Sequence, residues 1–170
     1  MFLFKKITFV IFFILTLSKN VYSNDKIFYL DMESVVKNSN IGKSLLLNIN
    51  NRNANNVEIL KNKEQKLKKI EEDIKKKQNI ISKEELDKEI KNLRNQINDL
   101  RVEKNNMVKD ISNFKKEELK KLYKKINPII QSYMEENNIS IILDMKNIVI
   151  GKISSNITKE IIDKINTELN

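Results

Sequence analysis

Apolar residues recur at every seventh position through the centre of the chain. One row consists of Leu86, Leu93, Leu100, Met107 and Phe114, and the row interleaved with it consists of Ile90, Ile97, Lys104 and Ile111, in which Lys104 is a charged exception. Residues at this spacing follow one side of an α-helix and form the seam of a coiled coil. The pattern therefore predicts a long helix that packs against a second helix.

A weaker row of the same period lies upstream and supplies a candidate for the second helix. It consists of Leu46, Asn53, Leu60, Leu67 and Ile74, with Ile49, Val57 and Ile70 at neighbouring positions. The chain has only 2 Gly and 1 Pro, and such a composition favours long elements with few reversals. We expect two arms, at residues 43–79 and 83–125, each about 55 to 65 Å long at 1.5 Å per residue.

The segment between the two rows indicates a hairpin tip near residues 79–83. Ser82 followed by Glu85 is a capping box, in which a hydroxyl and a carboxylate satisfy free amides at a helix start. A continuous helix in a parallel coiled coil remains an alternative on this local pattern. The predicted seam of the hairpin comprises Leu60, Leu67, Ile74, Leu86, Ile90, Leu93, Ile97, Leu100, Met107, Ile111 and Phe114.

The two ends of the chain predict a small β head. Lys26–Leu30, Ile139–Asp144 and Ile148–Ile153 have the composition of short strands. The first strand can pair with the others only if the middle of the chain leaves and returns, which favours the hairpin. Thr158 is a candidate cap for a terminal helix over Lys159–Glu168.

The apolar stripe changes phase after Phe114, and Pro128 follows soon afterwards. A phase shift lets a helix change partners, and a proline interrupts helical hydrogen bonding. We therefore place the junction of arm and head near residues 126–128. The predicted fold is mostly α with a small β head (α+β): a long antiparallel helical hairpin, residues 43–125, on a short-stranded oligomerisation head formed by residues 24–42 and 126–170.

The N-terminal segment has the pattern of a secretory signal peptide. Lys5 and Lys6 precede an apolar run at Ile7–Leu17, and Val21-Tyr22-Ser23 offers a cleavage site. A run of eleven residues is too short to cross a hydrocarbon core of about 30 Å, which disfavours a membrane anchor. We predict a signal peptide over residues 1–23 that is removed after Ser23, and hence export of the remaining chain.

Composition excludes whole classes of catalysis. The chain has no Cys and no His, so imidazole and thiol chemistry are excluded. The carboxylates and lysines show neither a Gly-rich phosphate loop nor a metal-ligand spacing. We predict that the protein is not an enzyme and uses no cofactor.

Positive charge is concentrated in the middle of the chain. The full chain carries a formal charge of +9, and the part after Ser23 carries +6 because three lysines lie in the signal peptide. Residues 43–125 hold 23 Lys and Arg against 14 Asp and Glu, whereas the two flanks together carry a net charge of −3. Arm and head therefore differ in their electrostatic surfaces.

Taken together, these features resemble the Skp (OmpH-like) family of periplasmic chaperones. The resemblance rests on the signal peptide, the central helical pair and the order of the flanking elements. Its residues are Leu30-Asp31 with Val35, Ser39, Gly42 and Lys43, the strand at Ile142–Asp144, and Asn156-Ile157-Thr158 followed by Ile161 and Ile165. The family commonly has Asp where Asn156 stands, and Asn also favours turns.

The resemblance implies a homotrimer whose head strands form a small barrel and whose three hairpins project around a cavity. It implies an ATP-independent holdase that keeps unfolded outer-membrane proteins from aggregating. The basic arms would attract acidic clients, and anionic lipid or lipopolysaccharide surfaces in addition. The predicted client-attracting lysines are Lys75, Lys76, Lys77, Lys115 and Lys116.

Two other functions are compatible with parts of the sequence. A structural tether or adaptor of the cell envelope would bind a partner through Ile80 and Ile81 at the tip. Nucleic acid binding would use the basic charge, but the signal peptide argues against nucleic acid as a physiological partner.

Overall fold

The computed structural model describes residues 26–169, and the predicted signal peptide lies outside this range. Its regular elements are β1 (Ile27–Leu30), α1 (Met32–Asn38), α2 (Asn40–Lys77), α3 (Lys83–Glu136), β2 (Ile141–Asp144) and α4 (Thr158–Glu168), with 3₁₀ turns at Met145–Asn147 and Ile153–Ser155. The predicted class, mostly α with a long hairpin and a small β head, is confirmed.

α2 and α3 form the hairpin, and residues 78–82 form its tip. The amides of Ile80 and Ile81 donate to the Lys77 carbonyl oxygen at 2.8 and 3.1 Å and close the end of α2. Ser82 Oγ accepts a hydrogen bond from the Glu85 amide at 3.3 Å. The predicted start of the second arm is therefore confirmed at its cap.

A tight break separates α1 from α2 at Ser39. The buried Ser39 has extended backbone, and its Oγ accepts from the Gly42 amide at 3.2 Å. A Cβ on Gly42 would come within 1.9 Å of the Val36 carbonyl oxygen. This close approach requires glycine, so Ser39 and Gly42 together set the angle at which α2 leaves the head.

β1 and β2 pair in parallel, from Ile27 opposite Ile141 to Leu30 opposite Asp144. Parallel strands need a long crossover connection. Here the crossover is the whole hairpin, as the sequence argument required.

The expected strand at Ile148–Ile153 is wrong, since the structure has no strand over these residues. β1 offers them little free edge: Tyr29 forms a single bridge to Asn156, and its carbonyl oxygen accepts from the Ile157 amide at 3.0 Å. Tyr29 Oη also donates to the Lys152 carbonyl oxygen at 3.1 Å. Residues with strand composition form a strand only where they have a pairing partner. Residues 148–153 lack such a partner within the described part of a single chain.

Thr158 is not the cap that the sequence suggested but the first residue of α4. Asn156 Oδ1 accepts from the Thr158 amide at 3.0 Å and from its hydroxyl at 2.6 Å. The same hydroxyl accepts from the Asp31 amide at 2.9 Å. Asn156 therefore closes the start of α4, while Thr158 links α4 to the end of β1.

The core of the head gathers residues from both ends of the chain, including β1, α1, the end of α3 and α4. It consists of Leu30, Val35, Val36, Leu122, Ile126, Ile129, Ile139, Ile157, Ile161 and Ile165. Leu45, Leu46 and Leu119 pack against it, and α3 continues through Pro128. The packing of the head thus includes the base of both arms, and on α3 it extends from residues 126–128 back towards the tip as far as Leu119.

Candidate functional site

Most of the predicted seam residues lie between the two arms. Ile74 and Leu93 are buried, and the others, apart from one, are half-buried: Leu60, Leu67, Leu86, Ile90, Leu100, Met107, Ile111 and Phe114. The exception is Ile97, which is 50% exposed and lies on the flank of the hairpin with Leu67 and Leu100. The seam is therefore thin, and part of its apolar surface faces outward.

Three contacts across the hairpin fix the register of the arms. The Arg52 guanidinium lies 4.5 Å from the centre of the Phe114 ring. Lys63 Nζ lies 2.6 Å from Glu103 Oε1, and Lys77 Nζ lies 3.5 Å from Glu89 Oε1. The residue numbers rise along α2 by 11 and then 14, and they fall along α3 by the same amounts. The antiparallel register is thus constant from the base to near the tip.

The base of α2 contributes mostly polar residues to the seam. Ile49 is buried, but Asn53 is exposed and Asn56 is half-buried in its place. The Arg52 guanidinium lies over the ring of Phe114 on the opposite arm. The seven-residue row predicted that Asn53 lies in the seam. Asn56 takes this place because the rotation of α2 relative to α3, which a single row does not define, turns Asn53 outward.

The lysines predicted to attract clients fall into two electrostatically different groups. At the tip, Lys75, Lys76 and Lys77 form ion pairs with Glu71 (2.7 Å), Asp73 (3.5 Å) and Glu89 (3.5 Å) respectively. The hydrogen bond that Lys75 donates to the Glu71 carboxylate raises the pKa of Lys75. Residues 71–91 contain 6 Lys and 7 Asp and Glu. The tip therefore carries a net charge of −1 despite its three consecutive lysines.

The base of α3 is strongly basic instead. Residues 115–125 contain 6 Lys and 2 Glu, a net charge of +4. Lys121 is paired with Glu118 at 2.6 Å, whereas Lys115 and Lys116 form no ion pair with any residue between 26 and 169. A second basic segment, residues 61–69, also carries +4 and lies midway along α2.

A cavity of about 730 Å³ lies where the arm meets the head, and we name it the junction cavity. Its apolar lining residues are Met32, Val36, Leu46 and Leu119. The other residues that line it are Asp31, Glu33, Lys37, Lys115, Tyr123, Asn127, Asp144 and Lys146. A volume in this range suits small-molecule or side-chain binding.

The head carries an exposed apolar surface around the segment that forms no strand. Val149, Ile150 and Ile153 are 97%, 91% and 90% exposed, and we call these three residues the head patch. The neighbouring strand residues Ile27, Ile141 and Leu143 are also exposed. Exposure of several large apolar side chains in one part of the fold is typical of an interaction surface.

Neither a metal centre nor a membrane-spanning helix is found among residues 26–169. Between residues 26 and 169, no group of three or more Asp, Glu, Cys or His side chains could hold a metal ion. No helix in the described part of the chain is long and apolar enough to cross a membrane.

The fold consists of a long two-helix arm and a small head that contains two parallel strands. It defines the class of helical-hairpin proteins with a small α+β head. The sequence matches the family described as Outer membrane protein (OmpH-like) over residues 26–165. The chain belongs to this OmpH-like family.

A solved structure has the same fold. The crystal structure of an OmpH-like protein from Caulobacter crescentus superposes with a TM-score of 0.78, at 15% sequence identity. The match covers 84% of this chain and 85% of the other. A search among curated proteins found no significant match.

Proposed function

We propose that the protein is an ATP-independent holdase of the periplasm that binds unfolded outer-membrane proteins after translocation and prevents their aggregation. The observation that carries the proposal is the arm itself. It combines a net charge of +9 over residues 43–125 with exposed apolar side chains, among them Val57, Ile97 and Val108. Charge speeds the capture of acidic clients, and scattered apolar contacts retain a chain that must stay unfolded.

Family membership supports this function, and the Caulobacter crescentus protein of the same fold is regarded as an outer membrane chaperone. The predicted signal peptide supports a periplasmic location. A holdase needs neither a catalytic group nor a cofactor, in keeping with a sequence that has no His and no Cys.

The head supports self-association, and we infer a homotrimer. A two-stranded sheet is marginal on its own, and the head patch lies beside this small sheet. Copies of the chain would extend the sheet and cover Val149, Ile150 and Ile153 at the same time. The arms would then project from one oligomeric body and surround a shared space.

The test uses residues 24–170 and a urea-unfolded porin that is diluted into buffer. We expect the protein to suppress light scattering at about one oligomer per client, equally with and without ATP. Added salt should slow association. Undiminished porin aggregation at a fivefold excess of protein would contradict the proposal.

One observation favours the alternative of an envelope tether or adaptor: Ile80 is 81% exposed at the tip. An Ile80→Ser variant separates the two functions. A holdase retains its protection of the porin, because one tip residue contributes little to many-point binding. A tether loses its envelope partner in a cross-linking experiment on cells.

A further inference from the structure

The excess positive charge near the head lies at the base of α3. Five lysines between residues 115 and 125 have no ion-pair partner anywhere in the described range: Lys115, Lys116, Lys120, Lys124 and Lys125. The three consecutive tip lysines, in contrast, all have one. An anion that approaches the arm therefore meets more net positive charge at the base than at the tip.

Three of these lysines form a ladder along α3. Lys116, Lys120 and Lys124 are spaced four residues apart, and like charges at this spacing destabilise a helix. A bound anion would relieve that repulsion. Successive rungs rise about 6 Å along the helix axis, and alternate side chains of an extended peptide are about 6.6 Å apart. Carboxylates at alternate positions of a client segment therefore match the spacing of the ladder.

The junction cavity lies directly beside the ladder. Lys115, Leu119 and Tyr123 line it, and Lys116 and Lys120 lie about one helical turn from Leu119 or Tyr123 on the same helix. An extended peptide presents alternate side chains to opposite sides. A peptide that lies between the ladder and the cavity can therefore contact the ladder with its carboxylates on one side and reach the apolar lining of the cavity with the side chains on the other.

The acidic residues of the cavity already have partners within the head. Asp31 Oδ1 accepts from the Ser34 amide at 2.9 Å and caps α1. Glu33 lies 2.6 Å from Lys37 Nζ. Asp144 lies 2.8 Å from Lys146 Nζ, and the pKa of Asp144 is lowered by its hydrogen bonds with Lys146. Among the charged lining residues, Lys115 and Asp31 form no ion pair within residues 26–169, and Asp31 is already engaged as the cap of α1.

We propose that the junction cavity, together with Lys115, Lys116 and Lys120, binds a client segment in which acidic and large apolar residues alternate. The lysines contact the carboxylates, and an apolar side chain enters the cavity between Met32, Val36, Leu46 and Leu119. Such alternation is the pattern of β-barrel strands. This proposal rests on the proposed holdase function and adds where on the arm a client is held.

Two matched variants test the site, since each removes three lysine charges. The base variant is Lys115→Gln, Lys116→Gln, Lys120→Gln, and the tip variant is Lys75→Gln, Lys76→Gln, Lys77→Gln. The probe is a fluorescent ten-residue peptide of alternating Asp and Leu, measured by anisotropy at low and physiological salt. We expect the base variant to bind the probe at least tenfold more weakly and the tip variant to stay within threefold of the wild type. Equal losses in both variants would overturn the proposal.

A variant that retains the charge distinguishes loss of charge from loss of folding. Lys115→Arg, Lys116→Arg, Lys120→Arg should bind the Asp and Leu peptide as the wild type does, within threefold. A peptide with Lys in place of Asp should bind poorly to every variant. Loss of binding in the Arg variant, with its helical circular dichroism unchanged, would show that charge is not the determinant.

Two other occupants of the surface, a second copy of the chain and a lipid, would each give a distinct experimental result. A photoreactive residue at position 123 should cross-link to an unfolded porin more strongly than one at position 80. A product that joins two copies of the chain, with none to the porin, would show that a neighbouring subunit covers the cavity. If the base variant lost binding to phosphatidylglycerol vesicles but kept the peptide, the occupant would be lipid and the proposal would be wrong.

The outcomes also separate this site from the proposed function. If the wild type protects the porin and the base and tip variants lose the peptide equally, the holdase function stands and the site is wrong. If the base variant alone loses the peptide but the wild type does not protect the porin, the peptide site stands and the holdase function is wrong.

Discussion

Lys63 Nζ donates to Glu103 Oε1 at 2.6 Å and joins the two arms midway between the tip and the head. Both side chains are partly exposed, and exposed ion pairs contribute about 0 to 1 kcal/mol. The pair therefore reports the register of the arms more than it determines their stability. Stability has to come from the thin apolar seam.

Truncation of side chains in the seam should weaken the packing of the two arms and leave the head unchanged. Leu93 is buried in the hairpin, and Leu→Ala costs about 2 to 5 kcal/mol in a full core and less in a thin seam. We expect Leu93→Ala with Leu100→Ala to raise hydrogen exchange in α2 and α3 but not in α4. Leu47→Ala, at an exposed site of α2, is the matched control. Unchanged exchange in both arms would refute the pairing.

Gly42 should tolerate no side chain, because a Cβ would clash with the backbone oxygen of Val36. We expect Gly42→Ala to destabilise the head by about 1 to 3 kcal/mol, the usual range for overpacking, measured by urea unfolding. Gly151→Ala is the control. Its Cβ would meet the Tyr29 ring at 2.9 Å, and this side chain has more room to adjust than a helix backbone, so a smaller loss is expected.

The head patch should be the surface through which copies of the chain associate. Polar replacement of all three residues, Val149→Ser, Ile150→Ser and Ile153→Ser, should give a folded monomer by light scattering after gel filtration. The control replaces three exposed apolar residues of the arm with Ser, at Val57, Ile97 and Val108, and should leave the mass unchanged. An intact oligomer in the patch variant would assign self-association to another surface.

The contact between the end of α3 and α4 should depend on pH. Lys164 Nζ lies 2.8 Å from both carboxylate oxygens of Glu136, and this hydrogen bond, followed by one from Ser132, lowers the pKa of Glu136. A carboxylate whose pKa is lower in the folded state stabilises the fold above its unfolded value, about 4.3 for Glu. That contribution is lost as the pH falls through the lowered value.

A Glu136→Gln variant tests this linkage through thermal unfolding between pH 7 and pH 3. We expect the variant to melt below the wild type at pH 7 and the difference to shrink below about pH 4. Glu117→Gln, an exposed change on the same helix, is the control. A difference that stays constant down to pH 3 would show that the ion pair does not stabilise the head.

The hairpin could be predicted from sequence because its signals are local or periodic. The row from Leu86 to Phe114 identifies one arm, and Ser82 with Glu85 marks where that arm begins. The pairing of the first strand with Ile141–Asp144 follows from connectivity. These features need no knowledge of how distant side chains meet.

The errors arose where a distant partner decides the structure. Ile148–Ile153 has strand composition, yet Tyr29 and Asn156 already use the free edge of β1. Thr158 resembles a cap, but its hydroxyl is held by Asp31 from the other end of the chain. The pairing of Lys77 with Glu89 on the other arm is also set in three dimensions, whereas the partners of Lys75 and Lys76 lie four and three residues away on the same helix.

The parallel pairing of β1 with β2 has a consequence for the order in which the molecule forms. Residues 31–140 separate the two strands, and the core also needs Ile157, Ile161 and Ile165 from the last element. Helices form within microseconds from local contacts, whereas contacts between distant residues form slowly. A chain that is exported with its N-terminus first can therefore form the arm first. The head is completed only when nearly all of the chain has been exported. Assembly through a finished head would then exclude truncated or half-exported chains.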